Sequence, residues 1–199
     1  MKRAKRMDLF QSSIFTELKN MKLDYMKRTG NTTIDFSVGS PNIAPDPSIM
    51  KALQDSIMVP ENYKYAINEL PEMKAAIHDW YKDRYHVELT NDEMICLQGS
   101  QEALSTLFLA MCDPGDIVLV PDPYYPIFSD GPKIAGAKVE YMPLLEEYNY
   151  IIQLDKIDEE IAKKAKMMIV SYPNNPTCAI APDSFYEELI AFAKKYDIV

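Results

Sequence analysis

Cys112-Asp-Pro-Gly-Asp-Ile-Val-Leu-Val-Pro-Asp-Pro-Tyr-Tyr-Pro126 decides the fold of this 199-residue chain. Asp113-Pro-Gly-Asp116 is turn chemistry, because Pro presets φ and Asp and Gly accept tight backbone. Ile117-Val-Leu-Val120 is apolar without alternation, which reads as a strand buried on both faces, as in a parallel sheet. The prolines and paired tyrosines that follow then lie at the C-terminal edge of that sheet, where α/β proteins bind ligands.

Working outward, Met94–Gln98 reads as a strand and Ser100–Cys112 as a helix leading into the turn. On the other side, 124–135 reads as a helix, 138–142 as a strand, 154–165 as a helix, 167–170 as a second buried strand and 183–196 as a helix. Ile198-Val199 reads as the start of a further strand. Upstream, 8–28 has roughly helical spacing of apolar residues. Ile34–Pro41 reads as a short extended segment, Asp46-Pro47 as N-cap and N1 of a helix to about Met58, and 70–85 as a helix. In that last helix Met73, Ile77, Trp80 and Tyr81 share one face. Repeated strand–helix units predict a largely parallel α/β sheet.

Hydrophobic residues make up 47% of the chain, so a sizeable core is expected. A net charge of −9 argues against nucleic acid or an anionic membrane as partner. The short basic cluster Lys2, Arg3, Lys5, Arg6 reads as a solvated terminus. No apolar run approaches the ~20 residues of a membrane-spanning helix, and no apolar segment follows the basic N-terminus as in a secretory signal. Cys96, Cys112 and Cys178 lack metal-ligand spacing, which fits a reducing, cytoplasmic setting. Cys96 reads as a small core residue.

Three segments carry chemistry. In Gln98-Gly-Ser-Gln-Glu-Ala103 a strand gives way to a helix at a glycine. Gly99 lets backbone approach a ligand, and the free N–H groups of Ser100 and Gln101 at a helix N-terminus favour an anion such as phosphate. The plainer alternative is an ordinary βα turn capped by Ser100. In the loop 120–126, Tyr124 and Tyr125 among prolines form an aromatic wall on which a flat ring could stack, worth about 1 kcal/mol beyond burial; ordinary loop packing is the alternative. In Ser171-Tyr-Pro-Asn-Asn-Pro-Thr177, Pro176 keeps Asn175 out of helical backbone and aims its amide across the sheet edge, unless the segment is only a turn. Together the three suit a phosphorylated, aromatic, phenol-bearing cofactor, features that pyridoxal 5'-phosphate (PLP) combines.

These motifs, in this order, resemble the class I/II aminotransferases, the fold-type I PLP enzymes, in the branch with aspartate, alanine and LL-diaminopimelate aminotransferase-like members. The resemblance runs from about Asp35 to Val199 and is carried by Asn62–Lys74, Cys112–Pro121 and Asn174-Asn-Pro-Thr177. It implies a three-layer αβα large domain with a mostly parallel sheet, of which the C-terminal half is absent here. Residues 1–46 would be an N-terminal segment (an arm and part of a small domain), and 47–199 the first part of the PLP-binding large domain.

By this resemblance, Ser100 and Gln101, after Gly99, bind the PLP phosphate through backbone N–H groups. Tyr125 stacks on the pyridine ring, with Tyr124 as rival. Asn175 hydrogen-bonds the phenolic oxygen, and Gly39 contacts the substrate carboxylate. Tyr65, with Tyr63 as rival, reaches the partner's phosphate across a homodimer interface. The substrates would be an amino acid and a 2-oxo acid. The pattern departs at Glu69 and Cys178, where the family commonly has glycine, so tight local geometry is at issue there.

The same resemblance places the family's Schiff-base lysine, its pyridine-pairing aspartate and its arginines after Val199. It therefore assigns no catalytic residue to these 199 positions and implies a fragment that is inactive alone and binds PLP weakly or not at all. The strand 94–98 would pair with a later strand and so be split from the others. The alternatives are a non-catalytic gene fragment or another enzyme of this fold, such as a C–S β-lyase. A nucleotide-binding α/β domain is disfavoured, since no Gly-x-Gly-x-x-Gly or P-loop is present.

Overall fold

The computed structural model describes residues 2–10, 14–37 and 39–199. The chain divides into two compact units, one of residues 12–96 and one of residues 1–11 with 97–199.

The second of these holds the sheet. Strands β1 (Ile117–Asp122), β2 (Lys138–Pro143) and β3 (Ala165–Met168) lie in the order β2-β1-β3 and are all parallel. In β1, Val118 and Val120 face one side and Leu119 the other, as the two-residue strand period requires. Val118 and Val120 pack with Phe108 of α4 (Ser100–Met111) and with Phe128 and Ala135 of α5 (Ile127–Ala135). Leu119 packs with Met142, Leu144, Ile152 and, from α7 (Asp183–Tyr196), Phe185. Helices therefore cover both faces, and the sheet is the middle of three layers, an α/β architecture as the alternating pattern predicts.

Gly131 sets the approach of α4 to α5. A Cβ built there would lie 2.1 Å from the Leu104 carbonyl oxygen and 2.9 Å from the Phe108 ring. Only a residue without a side chain permits this contact.

Several boundaries differ from the sequence reading, each for a local reason. Met94–Gln98 is separate from the sheet, as expected, but it forms no strand. Cys96 N–H donates to Glu69 (3.4 Å) and Gln98 N–H to Glu102 (2.6 Å), so carboxylates take amides that a ladder would use. Cys96 is only half-buried. The expected helix 154–165 is broken into a 3₁₀ turn, Leu154–Lys156, and the short α6, Glu159–Ala162. Asp158 divides them: its side chain accepts from Glu160 N and Ile161 N, which caps a new start. The third strand consequently begins at Ala165. Helix α5 starts at Ile127 rather than 124, after Pro126, whose missing N–H suits a helix start.

At the other end of this unit, Lys5–Leu9 forms a 3₁₀ turn, and Arg6 donates to the Ile134 carbonyl (2.8 Å) in the last turn of α5. The basic terminus is thus partly engaged, with a cation where the helix dipole favours one. Ile198 is buried. Val199 N–H donates to the Lys166 carbonyl, and Met168 N–H to the Val199 carbonyl, so these last residues extend alongside β3 as expected.

The 12–96 unit contains α1 (Ile14–Thr29), α2 (Pro47–Ser56) and α3 (Pro71–Tyr85). Asp46 caps α2 by accepting from Ser48 N at 2.8 Å, with Pro47 at its first position. The helical spacing read over 8–28 is realised from Ile14 onward; 11–13 and Val38 lie outside the described residues. No described residue of this unit is buried. The apolar stripe of α3 stays open, with Met73 and Trp80 at 52% and 60% exposure.

Candidate functional site at the C-terminal edge of the sheet

Because β1 and β3 are parallel, the loops that leave them emerge at the same edge. The first carries Tyr124 and Tyr125, the second Asn174 and Asn175. The start of α4 meets the first loop through one hydrogen bond: Gln101 Nε2 donates to the Tyr125 hydroxyl at 2.7 Å. The anion-type turn and the tyrosine wall are therefore brought together.

At the turn, Gly99 is the N-cap with φ +87° and ψ 148°, and a Cβ there would meet nothing within 4 Å. Its left-handed backbone is what glycine supplies cheaply. Ser100 is the first residue of α4 rather than its cap. The N–H groups of Ser100 and Gln101 precede any intrahelical acceptor, and both residues are exposed. Glu102 sits in the same first turn and accepts from Gln98 N–H, so one carboxylate already uses part of the positive end of the helix. This role is absent from the sequence reading: a capping-box glutamate at this spacing would reach the N–H of the cap itself, whereas Glu102 reaches that of the residue before it.

Tyr125 is half-buried, its ring edge-on to Phe128 at 6.0 Å and 72°. Tyr124, the rival for ring stacking, is turned to other work. Its ring is stacked on Tyr141 (5.4 Å, 13°), with the two hydroxyls 3.4 Å apart. Tyr141 also meets the Ser129 hydroxyl at 2.9 Å. Burial pushes the Tyr141 phenol up, but hydrogen bonds from Ser129 and Tyr124, helped by Lys133, outweigh it and hold it below the usual tyrosine value. The Tyr124 phenol is raised, first by its bond to Tyr141 and then by burial. Nothing in the local sequence around 141 announces this pairing.

Asn175 is exposed at the tip of its loop, and Asn174 is buried at 2% exposure. Asn174 Oδ1 accepts from Thr177 N (3.2 Å) and Thr177 Oγ1 (2.8 Å), while its backbone is tied to Ala179 and Cys178. This asparagine builds the turn that presents Asn175. Among the described residues Asn174 Nδ2 has no acceptor, and such an unmet buried donor costs about 1–3 kcal/mol. Among the described residues no hydrogen bond joins Asn175 to Tyr125 or Gln101. Gly39 and Tyr65 belong to the 12–96 unit, where Tyr65 is 93% exposed, and Tyr63 donates its hydroxyl to the Ile57 carbonyl.

The two departures from the expected glycines are both accommodated. Glu69 accepts from Cys96 N–H and pairs with Lys74 at 3.4 Å. Cys178 adopts left-handed backbone, φ +59°, and its N–H still donates to Asn174 O at 2.7 Å. The left-handed conformation costs a residue with a side chain about 1–2 kcal/mol, part of which glycine returns as chain entropy. Cys178→Gly is therefore expected to raise stability by about 0.5–1 kcal/mol, read as a higher urea midpoint at unchanged slope.

Residues 31–199 match the family model for aminotransferase class I and II. The chain is 40% identical to the LL-diaminopimelate aminotransferase of Halothermothrix orenii, over 100% of this chain and 51% of that protein. It is 38% identical to the glutamate-pyruvate aminotransferase AlaC of Escherichia coli K12, over 100% of this chain and 48% of that one. Among solved structures, apo-BacF of Bacillus subtilis superposes with a TM-score of 0.90 at 33% identity, over 100% of this chain and 51% of BacF. The chain thus spans about half the length of the curated relatives it matches.

Proposed function

The chain belongs to the class I and II aminotransferases, and from that premise we propose that it is the cofactor-cradling part of a PLP-dependent enzyme moving an amino group between an amino acid and a 2-oxo acid. The observation that carries the reading is the hydrogen bond from Gln101 to Tyr125, which joins the helix N-terminus to an aromatic plate at the ligand-binding edge of a parallel sheet. The residues present fit a phosphorylated aromatic. Gly99 leaves open space beside two free N–H groups, Tyr125 offers a fixed ring, and the 174–177 turn presents an amide.

In this reading Ser100 N and Gln101 N donate to the phosphate, Tyr125 packs on the pyridine ring, and Asn175 Nδ2 donates to the phenolic oxygen. The cofactor ring, when bound, supplies the electron sink that the transfer needs. Gly39 contributes backbone to the substrate carboxylate, and Tyr65 serves the second site of a homodimer. Residues 1–46 act as arm and small-domain segment, and 47–199 as the first part of the large domain. The open apolar surface of the 12–96 unit, with Phe36 at 91%, Ile67 at 83% and Leu53 at 67% exposure, supports the dimer, because monomers rarely leave large apolar areas uncovered. Among the described residues no helix is long and apolar enough to cross a membrane, and a cytoplasmic setting is part of the proposal.

Acid–base work needs a proton carrier at the reacting carbon, and we assign none to these residues. The 199-residue chain is accordingly expected to catalyse no transamination and to bind PLP weakly or not at all. Titration with PLP, followed by absorbance and by protein fluorescence, checks this: tight stoichiometric binding overturns it. The intact mass of the natural protein separates the two remaining readings. A mass about twice 22.8 kDa supports the enzyme, and an equal mass supports the alternative, a non-catalytic fragment.

A further inference from the structure

We propose that Tyr141 is a positioning residue for the candidate cofactor site: it clamps Tyr124 and Ser129 to β2 and so fixes the Tyr125 ring between them against Gln101. The proposal rests on the assignment of Tyr125 to that site.

Tyr141 is well placed for this. It lies on β2 as the Cα partner of Val120, the last apolar residue of β1 before the tyrosine loop. A residue held in a ladder is a firm base for a loop that has none. From this base the side chain reaches both ends of the 124–129 segment. The Tyr124 ring lies flat on the Tyr141 ring at one end, and the Ser129 hydroxyl meets the Tyr141 hydroxyl at 2.9 Å at the other. Ser129 is fully buried, and a buried hydroxyl needs a partner; Tyr141 provides it.

Tyr125 sits between these anchors. Its neighbour in sequence is committed to Tyr141, so the loop cannot rotate without unstacking Tyr124. Its ring is braced edge-on by Phe128, one residue before Ser129. Its hydroxyl then accepts from Gln101, the second residue of α4. A continuous series of contacts runs from β2 through Tyr141, Tyr124 and Tyr125 to the helix N-terminus that carries the free amides. The two tyrosines of the pair have different tasks: Tyr125 is presented, and Tyr124 is the handle by which it is held.

The test uses the 199-residue chain and needs no cofactor. The reporter is the side-chain amide ¹H–¹⁵N resonance pair of Gln101, which senses its bond to Tyr125. Tyr125→Phe removes the acceptor and gives the reference position for a released amide. Tyr141→Leu removes both ring and hydroxyl and is expected to move the Gln101 resonances at least halfway to that reference. Tyr141→Phe keeps the stack, loses the hydroxyl, and is expected to give a smaller shift in the same direction.

Val139→Ala is the control for plain loss of packing, since Val139 packs on the same core from the same strand but has neither a ring nor a hydroxyl with which to hold Tyr124 or Ser129. It is expected to lower the denaturation midpoint and leave the Gln101 resonances in place. The proposal is overturned if both Tyr141 variants keep the parent resonances, if Val139→Ala shifts them as much, or if the parent chain already shows the released position. Should Tyr141→Leu fail to fold, Tyr141→Phe alone decides. PLP titration of the parent chain is a separate arm: its result bears on the cofactor reading and leaves the amide result standing.

Discussion

Gly131→Ala is expected to destabilise the sheet-bearing unit by about 3 kcal/mol, at the upper end of overpacking costs. The added methyl would sit 2.1 Å from the Leu104 carbonyl oxygen and 2.9 Å from Cδ2 of Phe108. A backbone oxygen inside a helix cannot swing aside as a side-chain tip can. Restoring an ordinary C···O separation of about 3.3–3.6 Å from 2.1 Å therefore requires α4 and α5 to part by about 1.2–1.5 Å. Alanine is the better helix former by about 0.5–1 kcal/mol, but this gain is smaller than the clash. The consequence reaches the candidate site, because α4 carries Ser100 and Gln101 at its start. The 2.7 Å bond from Gln101 to Tyr125 should weaken along with the fold. Urea unfolding measures the first effect and the Gln101 side-chain amide the second. A loss below about 1 kcal/mol, the floor for overpacking, would show that the two helices do not pack as described.

Leu119→Ala is expected to cost about 3–4 kcal/mol, within the range for truncating a buried leucine. Leu119 is 1% exposed in the central strand and is the meeting point of β2, the 144–152 segment and α7. The cavity would open on the face opposite Gly131, so the two losses should be close to additive. Set against a typical total of about 5–15 kcal/mol, either loss is severe. Leu145→Ala is the control: at 46% exposure it should change the midpoint little. If both leucine variants cost the same, the α7 face is not a core, and the three-layer description fails with it.

The sequence alone carried the strand–turn–strand logic well, because local chemistry decides it. The run 117–120 has no polar residue with which to face water, so it had to be central. Asp46-Pro47 reads as a helix start, since a carboxylate suits the cap and a proline the first position. It carried the interior of the chain less well where side chains compete for backbone. Glu69 and Glu102 divert the amides of Cys96 and Gln98, and Asp158 restarts a helix that apolar spacing ran straight through. Such contests turn on distances that periodicity does not contain.

From the amino-acid order come the parallel α/β class, the buried strands and the two loop motifs that leave β1 and β3 at one sheet edge, because the two-residue strand period and turn chemistry are properties of short segments. Only the tertiary structure decided that Tyr124 stacks on Tyr141 while Tyr125 accepts from Gln101, that Asn174 builds the turn while Asn175 is its exposed tip, and that a glycine at 131 sets the spacing of α4 on α5. The first and last of these depend on atoms distant in sequence meeting within a few ångströms, and packing of that kind is fixed by the whole fold rather than by any stretch of it.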